Sequence, residues 1–227
     1  MFRSLMRHVA TATAMILSFA AMLGHASAAA DEIETQPTRQ AAVPEEKASY
    51  PEGLIKEGPL PEGFPPPGPV GRILEKTYPL CRTFSAEGNS AFMRCFAYLS
   101  KQQHEMTAPV IMDYRKTDPS ADANSGDVAR MHFVLQDMSL DEPKQDGPVL
   151  VADLAETRVL SIAVQGEMTD RALQDARKAL EAEAASRANI SVAGPMRVLG
   201  YNSPMVPRQK RFWEVQLPIK EEPSPEP

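Results

Sequence analysis

The sequence predicts an α+β domain: two strand–helix–strand–strand repeats forming a curved antiparallel sheet or distorted barrel, with two helices packed on it. Three observations lead there. Two segments carry apolar residues at helical spacing: Phe92, Cys95, Phe96 and Leu99 in one, and Leu173, Ala176, Leu180 and Ala184 in the other. Shorter stretches alternate apolar and polar residues, as strands with one covered face do. These elements then recur in the same order in both halves of residues 71–219.

The first half opens with an extended stretch, "RILEKTYPLCRTF" (72–84). "EGNSAFMRCFAYLSKQQ" (87–103) reads as a helix, with Asn89 or Ser90 as N-cap. A strand over 106–114 follows, placing Met106, Ala108, Val110, Met112 and Tyr114 on one face, with Thr107, Pro109, Ile111 and Asp113 on the other. Pro109 has no amide hydrogen to give a ladder, so this strand should lie at an edge or carry a bulge. After the polar loop "KTDPSADANSGD", the strand "ARMHFVLQ" (129–136) alternates Met131, Phe133 and Leu135 with His132, Val134 and Gln136.

In the second half, "VLVADL" and "TRVLSIAVQG" read as strands. "MTDRALQDARKALEAEAASR" (168–187) is the strongest helix of the chain, with Thr169 as cap and Asp170 near its positive end. "PMRVLGYN" (195–202) and "RFWEVQLPI" (211–219) supply the last strands.

The flanks have a different composition. "MFRSLMRH" carries Arg3 and Arg7 and no acid, an apolar run follows from Val9 to Leu23, and "ASA" stands at 26–28. This is the pattern of a signal peptide over residues 1–28. The apolar run falls short of the roughly 20 residues of a membrane span. Residues 29–70, rich in proline and glutamate, read as an extended tether, and 220–227 as a tail of the same kind. The formal charge is −6 and becomes more negative once Arg3 and Arg7 are removed. So acidic a chain is a poor partner for nucleic acid or an anionic membrane surface.

Motifs for catalysis are scarce. His104 and Glu105 begin a zinc-protease H-E-x-x-H helix, but Ala108 occupies the second histidine position and Pro109 disfavours a helix. There is no phosphate-binding glycine loop, nucleophile elbow or dinucleotide fingerprint. An exported chain permits a Cys81–Cys95 disulfide, whereas Cys95 on an apolar helix face also fits a buried free thiol. Both alternatives stand at this point.

"YPLCRTF", "NSAFMRCFAYLSK" and "EMTAPVIMDY", followed by "FVL" (133–135), "VLSIAVQG" and "GYNSPMVP" (200–207) with "EV" (214–215), resemble the SOUL haem-binding family in order across residues 72–219. Trp213 departs from the asparagine usual before Glu-Val. The resemblance implies a SOUL-like fold that binds haem or another tetrapyrrole without catalysis, as a non-covalent b-type cofactor, for sequestration or transfer outside the cytoplasm. A generic module for small apolar effectors, acting through a partner protein, is the alternative.

Such binding calls for an apolar slot, cations for the propionates and, optionally, an axial ligand. The resemblance points to Phe92, Phe96 and Leu99 as apolar wall, with Arg94, Arg208 and Lys210 as cations and Met205 beside them. His104 is the first choice of axial iron ligand, His132 the second. The export reading predicts that protein recovered from the cell envelope begins at Ala29. Intact mass tests this, and a soluble cytoplasmic pool retaining Met1 would contradict it.

Overall fold

Pro79 divides the stretch expected to be one strand into two that join distant parts of the sheet. The computed structural model describes residues 50–88, 90–114 and 128–222, and there β1 (Ile73–Tyr78) ends just before Pro79 while β2 (Cys81–Glu87) begins after Leu80. A proline cannot donate to a ladder, so the pairing changes at that point. β1 pairs with β7 (Thr157–Gln165), while β2 lies between β4 (Val128–Val134) and β6 (Val149–Leu154).

Helix α1 (Ala91–Gln102) follows β2. Gln103 closes it in the left-handed conformation (φ 58°), and its N–H turns back to Leu99 and Ser100. The expected cap is different in form: Ser90 stands at the N-cap without a side-chain hydrogen bond. Asn89 lies outside the described residues. β3 (Val110–Tyr114) begins after Pro109 and pairs with both β4 and β9 (Arg197–Gly200). Pro109 therefore does not mark an edge strand. It precedes a central one, where no ladder donor is required of it, and the irregularity in this strand falls at Asp113/Tyr114 instead.

Two short strands escaped the sequence reading. β5 (Lys144–Asp146) forms a hairpin with β6 through Gly147, whose φ of 56° suits glycine. β8 (Ile190–Val192) pairs with the far end of β10 (Phe212–Glu221). Between β7 and β8, helix α2 (Asp170–Ala185) is capped as expected, with the Ala172 N–H donating to Thr169 Oγ1 at 3.1 Å. Its Ala176, Leu180 and Ala184 are buried and Leu173 is partly so, matching the predicted stripe.

The ladders are antiparallel throughout, in the order β1-β7-β10-β9-β3-β4-β2-β6-β5, with β8 beside β10. The sheet is open: among the described residues β1 and β5 do not pair, so the barrel alternative gives way to a rolled sheet. The roll is visible in its side chains. Arg197 of β9 lies 5.4 Å from the Tyr78 ring of β1, although two strands separate them in the sheet. The helices share one face, α1 over a core including Phe84, Tyr98 and Phe133, and α2 over one including Leu160, Val198 and Val215. No helix among the described residues is long and apolar enough to cross a membrane.

The opposite face contains a third core and a buried polar cluster. Residues 50–70 cross it, so this part of the expected tether is a packed strap; residues 1–49 and 223–227 lie outside the described residues. Composition misleads here because a few anchors suffice. Phe64 is buried edge-on against Tyr78 at 5.2 Å, and the Glu62 N–H donates to the Gln136 carbonyl. Gly68 N–H donates to Glu214 at 2.7 Å, and Glu214 also accepts from Lys76, from Tyr78 at 3.1 Å and from Tyr201 at 2.8 Å. Burial first, then neighbouring charge including Glu214, pushes both phenols well above their ordinary range, so both remain donors. Removing either member of a buried ion pair typically costs about 3–5 kcal/mol, because the other charge is stranded.

The cysteine question closes in favour of free thiols. Cys81 belongs to the strap-side core and Cys95 to the core beneath α1, on opposite faces of the sheet. Burial pushes both thiols up to about 11. Alkylation of the folded protein at neutral pH should therefore be negligible, with two thiols per chain labelled after denaturation without reductant. One label or none after denaturation would contradict this arrangement.

Candidate functional site

The cores under α1 and α2 do not merge. Between them, along the β3–β9 seam, lies an apolar cleft with a cavity volume of about 180 Å³, or about 740 Å³ of empty space when its open mouth is included. The enclosed part is smaller than the ~300–1,000 Å³ of typical small-molecule sites, so a larger ligand would extend through the open mouth. Strand alternation builds the floor. Met112 of β3 and Met131 of β4 are register partners on the helix-side face, while their neighbours Ile111 and His132 face the other way. Gly200 of β9 pairs with Trp213 of β10, and the indole lies across it.

Glycine at 200 suits this approach. A Cβ there would stand 3.0 Å from the Trp213 ring and 3.3 Å from the Met112 methyl. Trp213 Nε1 donates to the Gly166 carbonyl at 2.9 Å, which fixes the ring while leaving its apolar body on the cleft. Phe92 of α1 forms the facing wall, edge-on to Phe133 at 5.4 Å and stacked on Phe96 at 6.1 Å.

The strap supplies another wall. Gly58 sits so close to the segment preceding β3 that a Cβ would be 2.8 Å from the Met106 carbonyl oxygen, and the Ala108 N–H donates to the Pro59 carbonyl at 2.9 Å. Glu57 clasps the loop after β9, accepting from the Ser203 N–H at 2.5 Å and from the Ser203 hydroxyl at 2.8 Å. Burial opposes ionisation of Glu57, but these donors, Asn202 and the Arg211 charge hold its carboxyl below the usual range. Arg211 is the cation at the mouth, anchored through the Val206 and Pro204 carbonyls at 2.9 and 2.8 Å.

Of the residues expected at the site, Phe92 lines this cleft and Phe96 extends its aromatic edge, 42% exposed. Leu99 is buried in the core beneath α1 and does not reach it. Arg94, two residues along α1 from Phe92, projects from a different side of the helix and donates to the Glu87 carbonyl at 3.1 Å. Met205 is 90% exposed. Arg208 pairs with Glu167 at 2.6 Å, and Lys210 is exposed on the same one-turn helix, Arg208–Lys210. None of these four borders the cleft; the turn before β10 carries Met205, Arg208 and Lys210 outward.

His104 is also displaced from it. The αL turn at Gln103 directs the imidazole to Asp141, with Nε2 3.6 Å from Oδ2. Asp141 accepts from Tyr98 at 2.5 Å and Lys144 at 2.6 Å, and these outweigh burial to bring its carboxyl down to about 2. His132 occupies the opposite face, bonded to Asp113 at 2.9 Å and near Thr83 at 3.4 Å. Among the described residues no group of three or more His, Cys, Asp and Glu could hold a metal ion.

The sequence reading missed Glu57, Met106, Met112, Met131, Arg211 and Trp213 as lining residues. The period-2 alternation already placed Met106 and Met112 on one face, and Trp213 stood out as the departure before Glu-Val. Which face became the cleft depended on strand order.

A rolled, open antiparallel sheet with two helices on one face and an apolar cleft at its central seam defines an α+β domain with an open apolar site. The chain belongs to the SOUL heme-binding protein family, whose model matches residues 75–218. No curated protein matches it. Among solved structures it is similar to EcmrR in an EcmrR–DNA complex (TM-score 0.50, 12% identity), covering 66% of this chain and 58% of EcmrR. An uncharacterized conserved protein from Listeria innocua is similar at TM-score 0.51 and 11% identity, over 67% of this chain and 94% of that one. A Listeria innocua hydrolase gives TM-score 0.47 at 10% identity, over 67% and 94% respectively. These likenesses concern the fold.

Because the carboxyl of Glu57 is held low when clasped, its contribution is present above the ordinary carboxylate range and fades as pH falls through the lowered value. Glu57→Gln should therefore loosen the strap at neutral pH and flatten its acid response. The emission of Trp213, the single tryptophan, reads this directly. Superimposable pH curves for the two proteins would remove Glu57 from that role.

Proposed function

We propose that this protein binds haem or a related tetrapyrrole non-covalently in the seam cleft, without catalysing its conversion, for sequestration or transfer outside the cytoplasm. The observation that carries the reading is the cleft itself: Trp213, Phe92 and three methionines line an open apolar slot, with the Arg211 cation at its mouth. Family membership supports the same ligand class. The donor set fits an apolar macrocycle with acidic side arms, since flat apolar surface meets aromatic and thioether groups and a guanidinium suits a carboxylate. Covalent attachment has no support, as both cysteines are buried away from the cleft. When bound, haem would supply an iron centre and a strongly absorbing macrocycle.

Export rests on the basic and then apolar residues 1–23 and the Ala-Ser-Ala at 26–28. The absence of histidine from the lining favours holding by enclosure, which also supports the second reading, a receptor for other flat apolar effectors. Titration with haem and, separately, an unrelated apolar dye separates the two. Haem should quench Trp213 and give a saturable Soret change with about one equivalent per chain, as one preformed cleft requires. Phe92→Asp should bind poorly, because it places a charge against the apolar wall, whereas His104→Ala should bind nearly as well as the parent. Linear, unsaturable uptake, or loss of binding in His104→Ala with the helical circular dichroism intact, would defeat this reading.

A further inference from the structure

The cleft is built almost without the side chains that usually ligate iron. His132 lies on the opposite face of β4 and His104 is turned to Asp141. Cys81 and Cys95 are buried in cores on the two sides of the sheet, protonated by burial. Tyr201 borders the cleft, but its hydroxyl is committed to Glu214 at 2.8 Å. Glu57, at the rim, is occupied by Ser203. What remains is sulfur.

We infer that a methionine sulfur of the Met112–Met131 pair is the axial ligand this cleft offers to tetrapyrrole iron. The inference rests on the tetrapyrrole reading above and adds the ligating atom. Met112 and Met131 are register partners on β3 and β4 and share the cleft-facing side, so their Cβ atoms stand about 4.5–5.5 Å apart. Central strands hold both backbones, and the unbranched side chains leave each sulfur free to adjust. Gly200 leaves the Met112 methyl room that a Cβ, 3.3 Å from it, would narrow. Met106, from the irregular segment before β3, lies on the same cleft but lacks this ladder support.

Thioether ligation has a functional consequence. Sulfur of this kind is a soft ligand that stabilises ferrous over ferric iron and raises the reduction potential. A protein ligating in this way would hold reduced haem more firmly and release it more readily on oxidation, a behaviour suited to transfer.

The test compares haem with metal-free protoporphyrin on the purified full chain and on Met112→Leu, Met131→Leu and the double variant. Leucine keeps the volume and apolarity, so the fold should survive, which inaccessible cysteines and helical circular dichroism verify. The parent should show the long-wavelength charge-transfer band of thioether-ligated ferric haem. The double variant should lose that band and bind ferrous haem about tenfold more weakly, with metal-free porphyrin affinity unchanged. If haem binds saturably and its spectrum and affinity are the same in the double variant, thioether ligation is wrong while the tetrapyrrole reading stands. If neither haem nor metal-free porphyrin binds the parent, both fall together.

Discussion

A buried carboxylate holds this fold in register. Glu214 is fully enclosed, and its four donors come from the strap (Gly68), from β1 (Lys76, Tyr78) and from the residue after β9 (Tyr201). An ionised carboxylate in such a place is tolerated only when paired and hydrogen-bonded, so every donor must be in position at once. That condition brings β1 towards β9 across the roll of the sheet and seats the strap against it. It also sets the phase of β10: with Glu214 turned to the strap, Trp213 and Val215 must face the helices.

The cleft follows from that phase. The helices pack on two separate cores, and the seam strands β3 and β9 lie between them. Helix packing leaves the seam floor uncovered, and the residues there are those that alternation delivers: Met112, Met131, Gly200 and Trp213. The strap that completes the polar cluster on one face also reaches round to form a wall of the cleft on the other. Glu214 and the binding surface are thus linked through one short piece of chain, residues 57–68.

Much of the fold was legible in the residues. The 3.6-residue spacing of Ala176, Leu180 and Ala184 and the Thr169 cap placed α2 correctly, because an amphipathic helix states its buried face locally. Alternation located β4, β6, β7 and β10. Failures came where partners are distant. The extended stretch 72–84 holds two strands, because the chain uses Pro79 to leave one ladder for another. Pro109 signals an edge or a bulge, yet β3 is central because the strand begins only after it, and its irregularity lies at Asp113/Tyr114. The strap has the composition of a solvated linker, and only its distant partners, Tyr78 and Glu214, show what Phe64 and Gly68 are for.

The site was legible in class more than in residue. The MTAPV and YNSPMVP segments resemble the family's, and with the family comes the expectation of an apolar site for a flat ligand. Phe92 was found because a helix stripe adjoins whatever the helix covers. The resemblance points to the regions of Arg94, Leu99, His104, Met205, Arg208 and Lys210 but does not specify side-chain direction: one turn at Gln103 points His104 to Asp141, and one outward turn removes Arg208 and Lys210. Local periodicity by itself determined the two helices, most strands and the faces they present. Only tertiary structure decided which of those faces enclose the cleft, because strand order and the grip of Glu214 join residues more than a hundred positions apart.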